Sequence, residues 1–587
     1  MQKSEFYFHE KQVIVKSRGR ICQNPEELTQ TEIFRTVVAR YLEFLKGKDS
    51  YLLGVFPPDM TEDGREGAII RLLSLLTRYT KDTIIRNHPE LKGFFADTYT
   101  LNQFVENLYN YWRSFERFFV YYSDSELKDP PHLKPYLAFN ETVEHLNRLV
   151  RQTYREVCEN ITLDHPRIYR QLPAGFQVGL IVAEEDWQVP GGPYSILSCI
   201  PFIKRVLITP PLIIDPPMNK RDGQFEKVAS NPLDEVRINT DEWLCYPAKV
   251  GELVIFFFFH NRHIGLGTAL ANLFELARDE ELKRKPDAIY VYGVDEEALR
   301  GFNSKTVFFD DEENNLFVAA VPGKDIFSYF GYVKKMILTL HNSIMMKRGR
   351  LPVHGAMVSI SLKNGKSANI ILLGDTGTGK SESLEAFRVI GDSHIRDMTI
   401  VFDDMGSLEI SENSRIMAYG TETGAFVRLD DLQPGFAFGN IDRSIIMSPQ
   451  KVNARAVLPI TTLKNVLQGY PVDFLLYANN YEEVDEAHPF FEEFCSADEA
   501  IKVFREGARM AKGTTTEKGL VHAYFANIFG PHQYRELHEK LAEKFFEAFF
   551  SSGVRVGQLR TRLGIPGLEK RGPESAAKAL LEVVSRE

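Results

Sequence analysis

The sequence predicts an α/β protein, and three observations carry that reading. The segment Gly374-Asp375-Thr376-Gly377-Thr378-Gly379-Lys380-Ser381 has the spacing of a phosphate-binding loop and follows the apolar run Ala368 to Leu373. Before it, from about Gln171, apolar runs of strand length alternate with Pro and Gly turns. The first 165 residues instead repeat their apolar side chains at helical spacing. The expected order is a helical N-terminal region (1–165), an α/β domain (166–324) and a nucleotide- and metal-binding domain with mixed sheets (325–587).

The 587 residues are 44% hydrophobic and 26% charged, enough to build large cores in two or three domains. A formal charge of −10 argues against nucleic acid as a partner, while leaving room for a local basic pocket that takes a small anionic substrate. Cys22, Cys158, Cys199, Cys245 and Cys495 are odd in number and scattered, which fits neither a disulfide framework nor a thiolate zinc site; a reducing cytoplasm is expected. The start, Met1 to Phe6, lacks the apolar core of a signal peptide, and no run reaches the roughly 20 apolar residues that span a bilayer, so no membrane association is expected.

In the N-terminal region the helical pattern covers Ile33 to Phe44, Ala68 to Leu76 and Phe104 to Tyr122, breaks at Lys128-Asp129-Pro130-Pro131-His132, and resumes from Glu141 to Cys158. The aromatic residues from Tyr109 to Tyr122 read as helix-packing core, because no basic residues line them as a base-stacking groove requires. In the middle region Val178 to Ala183, Val206 to Thr209 and Leu253 to Phe259 read as buried strands. Pro190 to Pro193 reads as a turn and Lys204-Arg205 as a strand end. His260 and His263, three apart, are weighed as metal ligands and taken as a strand terminus.

The third region carries the chemistry. The glycines of the phosphate loop let successive N–H groups converge on phosphate oxygens at the start of a helix, so Gly374 to Ser381 are the expected ATP contacts. Lys380 would neutralise the β and γ phosphates, and Ser381 would hold a divalent cation. Thr399-Ile400-Val401-Phe402-Asp403-Asp404 reads as a strand ending in two carboxylates, the oxygen ligands that Mg²⁺ at a nucleotide requires; taken alone, the pair also fits a strand-terminating turn.

The order Lys334-Lys335, His354, phosphate loop, Asp403-Asp404 resembles the phosphoenolpyruvate carboxykinase superfamily, which includes the HPr kinase/phosphorylases, over roughly residues 325 to 565. The resemblance implies a carboxykinase-like nucleotide domain in which Lys335, His354 and Asp404 bind Mn²⁺, with Lys380 and Ser381 on phosphate and Mg²⁺. Lys334 and Asp403 match assisting residues, and Arg455 matches an arginine that contacts γ-phosphate and a carboxylate. Glu422-Thr423-Gly424 is similar to the family's Glu-Gly-Gly turn. Thr516-Glu517-Lys518-Gly519 and Phe525 to Tyr534 are similar to its distal segments. A lysine ligates metal only when neutral, so Lys335 is expected to be pushed down by the cation, by burial and by Lys334. Nitrogen ligands favour Mn²⁺ there and leave an oxygen-rich Mg²⁺ site near Ser381 and Asp403.

The chain also departs from the family. The Thr-Gly-Arg-Ser-Pro loop is not found, Met405-Gly406-Ser407-Leu408 stands where the family has Glu-His-Gly-Trp, and Asn479-Asn480 replaces its Asp-Ala-Phe-Gly. Arg205 and Arg262 are the candidates for a second substrate cation. The Gly-Asp-Thr-Gly-Thr-Gly-Lys-Ser-Glu loop and His354-Gly355 are closer to the HPr kinase pattern. Three functions are therefore carried forward. The first is ATP-dependent conversion of oxaloacetate to phosphoenolpyruvate, with substrate between the last two domains; the second is a kinase acting on another small-molecule or protein hydroxyl. The third is a non-catalytic nucleotide sensor that meets a protein partner through the helical N-terminal region.

Overall fold

The computed structural model describes residues 5–17, 22–122, 135–165, 167, 172–221, 225–375, 377–391, 394–429, 439–511 and 518–586. It is a mixed α/β protein with large mixed sheets. Two compact units divide the chain: residues 1–184 with 203–212, and residues 185–202 with 213–587. The middle region and the nucleotide region therefore share one unit, except for 166–184 and 203–212.

In the first unit, Glu32–Gly47, Glu62–Leu76, Thr98–Arg113 and Pro135–Thr162 are helices. Val38, Tyr41, Leu72, Leu76, Leu101, Phe104 and Ile161 form their common core. Strands enter where only helix is expected. Glu5–His9 pairs antiparallel with Gln12–Ser17, which runs parallel to Glu116–Tyr122, and that strand pairs with Val178–Ala183. This last pairing carries the unit beyond residue 165.

The expected helix from Phe104 to Tyr122 is corrected accordingly: it ends at Arg113, and Glu116–Tyr122 is a strand. Arg117 supplies the stop. Its buried guanidinium donates to the carbonyls of Trp112 (3.2 Å), Arg113 (2.7 Å) and Phe115 (2.6 Å), which satisfies the orphan acceptors at the negative end of the helix. Phe118, Phe119 and Val120 are all fully buried, so the strand has two apolar faces and shows no alternation to separate it from helix.

In the second unit, Leu253–His260 lies between Trp243–Val250 (antiparallel) and Ala288–Val294 (parallel). Phe256, Phe257, Phe258 and Phe259 are buried on both faces, as the unbroken apolar run predicts. His354, Asp403 and Asp404 sit on an eight-stranded sheet ordered Tyr470–Pro471, Ile416–Gly420, Ile395–Ile410, Leu351–Leu362, Ser367–Leu373, Phe474–Asn479, Arg555–Arg560 and Phe491–Glu493. Its core joins Val358, Ile370, Phe387 and Leu580. The helix Phe330–Lys347 is buried nearly all round, as expected of a central helix. His263 packs against Tyr292 and burial lowers it to about 3, while His260 accepts from the Arg262 N–H; both serve the strand end. Among the described residues, no helix is long and apolar enough to cross a membrane.

Candidate nucleotide and metal site

The strand Ser367–Leu373 opens directly into the phosphate loop, and Lys380 begins the helix Lys380–Gly391. Thr376 lies outside the described residues. Gly374 and Gly379 are needed sterically. A Cβ on Gly374 would stand 2.2 Å from Thr378 Oγ1, and one on Gly379, at φ +95°, would meet Thr561 at 2.8 Å. Gly377 also has positive φ, at +80°. Thr378 Oγ1 donates to the Asp375 carbonyl (2.8 Å), and the Thr561 hydroxyl donates to the Thr378 carbonyl (2.6 Å). Lys380 folds back on the loop, its Nζ 2.5 Å from Gly374 O and 3.1 Å from Asp375 O. This cradle holds its lysine and its hydroxyl residue side by side at a helix start, the arrangement that receives phosphate.

Ser381 leads to the carboxylates, since its Oγ donates to Asp403 Oδ1 at 3.2 Å. Here the strand reading is corrected: Asp403 and Asp404 lie in the middle of Ile395–Ile410, not at its end. A register shift at Val401 precedes them, and Asp404 has φ +148°. A bulge followed by a strained residue re-aims side chains without ending the pairing, which the residue pattern does not display. Asp403 is raised by desolvation, partly offset by Lys380. Desolvation also acts on Asp404, but Lys334, joined by His354 when its ring is protonated, outweighs it and holds Asp404 well below the usual carboxylate range.

His354 reaches Asp404 from the neighbouring strand, where Gly355 is the residue opposite Asp404. Its Nε2 stands 3.0 Å from Asp404 Oδ1. Its Nδ1 contacts the carbonyl of Ala526, an acceptor, so Nδ1 carries the proton and Nε2 turns its lone pair to the carboxylate in the neutral ring. Phe525, Ala526 and Asn527 have φ of 45°, 58° and 60°, three consecutive non-glycine residues in the left-handed region.

Lys334 and Lys335 part company on the helix Phe330–Lys347. Lys334 is buried, donates to Asp404 Oδ2 at 2.6 Å and lies 3.2 Å from Glu422 Oε1. Although desolvation opposes its charge, the two carboxylates raise it above the ordinary lysine range. Burial of Glu422 raises that carboxyl to about 8 against the pull of Lys334. Lys335 is partly exposed, with its Nζ 5.0 Å from the centre of the Phe529 ring. Desolvation first, then the cations Arg221 and Arg455, lower it to about 8. The expected cationic cause, Lys334, is replaced by these two guanidiniums.

Arg455 starts the strand Arg455–Pro459, donates to Asn453 Oδ1 (3.2 Å) and lies over the Phe426 ring at 5.0 Å. A further cation acting on Lys335 is Arg221, which the sequence reading passed over. Its loop is fixed by Lys451, which donates to the Pro216 carbonyl (2.6 Å), and by Asn453, which donates to Asn219 O (2.6 Å). Of the two candidates from the sequence, Arg262 is paired with Asp325 at 2.5 Å, and Arg205 lies in the first unit. Thr516 and Glu517 lie outside the described residues.

Among the described residues, no group of three or more His, Cys, Asp or Glu converges on a metal position. The donor set is instead one imidazole, one carboxylate and a lysine lowered toward neutrality. Imidazole, carboxylate and a neutral lysine are donors that suit Mn²⁺, and the 3.0 Å contact between His354 Nε2 and Asp404 is one that a proton or a metal cation satisfies. No protein-family model matches the chain, and no curated protein matches it.

Proposed function

We propose that the chain catalyses ATP-dependent phosphoryl transfer of the phosphoenolpyruvate carboxykinase type, converting oxaloacetate and ATP to phosphoenolpyruvate, ADP and CO₂ in the cytoplasm. The observation that carries this reading is the unbroken run of contacts from the phosphate loop through Ser381 and Asp403 to the Asp404, His354 and Lys334 cluster. Lys335, lowered by burial and then by Arg221 and Arg455, also interacts electrostatically with Asp404.

In this mechanism Lys380 leaves the loop carbonyls to meet the β and γ phosphates, and Ser381 with Asp403 orients the Mg²⁺ side of the nucleotide. Lys335, His354 and Asp404 would hold Mn²⁺, which when bound stabilises negative charge on the acceptor oxygen. Arg455 and Arg221 hold the anionic ends of the acceptor, fixing it in line with the γ-phosphorus. Lys334 stays charged and keeps Asp404 ionised.

The test supplies purified protein with ADP, Mn²⁺, Mg²⁺, bicarbonate and phosphoenolpyruvate and couples oxaloacetate to malate dehydrogenase. Oxaloacetate formation that disappears in Lys380→Ala supports the proposal. ATP consumption stimulated by a hydroxylated metabolite or protein, without oxaloacetate, transfers the assignment to the HPr kinase-like reading that the loop sequence favours. Nucleotide binding with no turnover of either kind supports the sensor.

A further inference from the structure

Asp375, the second residue of the phosphate loop, is a carboxylate in a site that has to accept a polyanion. It is buried at 5% exposure, and the equally buried Arg509 donates from Nε to its Oδ2 at 2.9 Å. Arg509 comes from the short strand Ala508–Met510, which pairs antiparallel with Leu520–His522. A second brace joins the same two pieces of chain. Asn480 Nδ2 donates both to the Gly377 carbonyl (2.9 Å) and to the Met510 carbonyl (3.0 Å), while Asn480 Oδ1 accepts from the Met510 N–H (2.8 Å). The Arg509 hairpin is thus tied to the loop on both sides of Thr376.

The chemistry explains why an arginine belongs there. A bare carboxylate in the loop repels incoming phosphate through a poorly screened medium, and a buried charge without its partner is costly in any state of the protein. A guanidinium cancels that charge and fixes the carboxylate by a directional bond, which a more strongly hydrated ammonium does less well.

We propose that Arg509 is a positioning residue for nucleotide binding: by neutralising and anchoring Asp375, it holds the phosphate loop in its anion-accepting shape. The proposal rests on the nucleotide-binding reading above and adds a residue and a cause to it.

The experiment is calorimetric titration of the full chain with MgADP, comparing wild type with Arg509→Met, Asp375→Asn and the double variant. Arg509→Met is expected to weaken MgADP about tenfold or more by removing the guanidinium that balances the buried Asp375 carboxylate. The double variant, lacking both charges, is expected to bind more tightly than Arg509→Met and within a few fold of Asp375→Asn. Arg509→Met binding like wild type, or a double variant as weak as Arg509→Met, overturns the proposal. Should Arg509→Met fail to fold, the comparison of the double variant with Asp375→Asn decides: equal affinity supports charge neutralisation, and a large loss in the double variant refutes it. A wild-type chain that binds no MgADP sinks the nucleotide reading itself, and this proposal with it.

Discussion

His354 Nε2 lies 3.0 Å from Asp404 Oδ1 while its Nδ1 is committed to the Ala526 carbonyl. In the neutral ring two electron-rich atoms face each other, a contact that either a proton on Nε2 or a bound cation resolves. Mn²⁺ titration followed by electron paramagnetic resonance is therefore expected to show a tight site in wild type. His354→Gln and Asp404→Asn are each expected to weaken it by at least about tenfold. Unchanged binding in both variants would remove these residues from the ligand set.

The Ala526 carbonyl is presented by a turn that non-glycine residues adopt at a cost. Replacing Ala526 (φ +58°) with glycine relieves that strain but adds freedom to the unfolded chain, for a net stabilisation of roughly 0.5–1 kcal/mol. A higher melting temperature in Ala526→Gly is the expected result. The branched side chain of Ala526→Val is expected to lower the melting temperature and to weaken Mn²⁺ binding as the carbonyl moves from His354. A destabilised glycine variant would show that the turn is not strained.

Glu422 makes a pH signature. Its carboxyl is raised from 4.5 to about 8 by burial, so between these values the folded chain binds more protons than the unfolded chain. The stability linked to this group is present below about pH 4.5 and is lost as pH rises through about 8, with a slope of up to about 1.4 kcal/mol per unit. Lys335, lowered from 10.5 to about 8, acts with the opposite sign and only above that window. Denaturant titrations across the Glu422 window are expected to show a shallower decline in Glu422→Gln than in wild type. Equal slopes would mean that Glu422 ionises in the native state as an ordinary carboxylate does.

The strand and helix that flank the candidate phosphate loop are legible in the sequence because their signals are local. The phosphate loop needs only its own glycines, Lys380 and Ser381, between a strand and a helix, and those elements are present. The long-range pieces left no comparable trace. Glu116–Tyr122 is buried on both faces and so lacks the alternation of a strand, while Asp403-Asp404 looked terminal because the bulge at Val401 depends on pairing with Leu351–Leu362. Arg509 and Asp375 are 134 residues apart, and only the tertiary fold brings them together. Arg221 was hidden for a different reason. It sits among turn-forming residues after Pro216-Pro217, with no periodicity to mark it, and its relevance comes from Lys451 and Asn453 fixing its loop. An arginine in a Pro-rich loop whose partners lie in the nucleotide half was the available signal.

Arg221 also gives the acceptor assignment its sharpest test. An acceptor with two anionic ends needs a fixed cation at each, and guanidinium is suited to carboxylate through its paired donors. Under the proposed reaction Arg455 would supply one and Arg221 the other, both of them cations that act on Lys335. Arg262, by contrast, is half-exposed and paired with Asp325. Arg221→Ala and Arg455→Ala are each expected to lower oxaloacetate formation from phosphoenolpyruvate and bicarbonate by about a hundredfold or more, the loss of a charge-assisted contact in a desolvated site. Arg262→Ala is expected to retain the wild-type rate, and MgADP affinity is expected to stay within a few fold of wild type in Arg221→Ala, which separates acceptor binding from nucleotide binding. Loss of activity in Arg262→Ala with Arg221→Ala unaffected would return the acceptor site to the strand end where the sequence had first placed it.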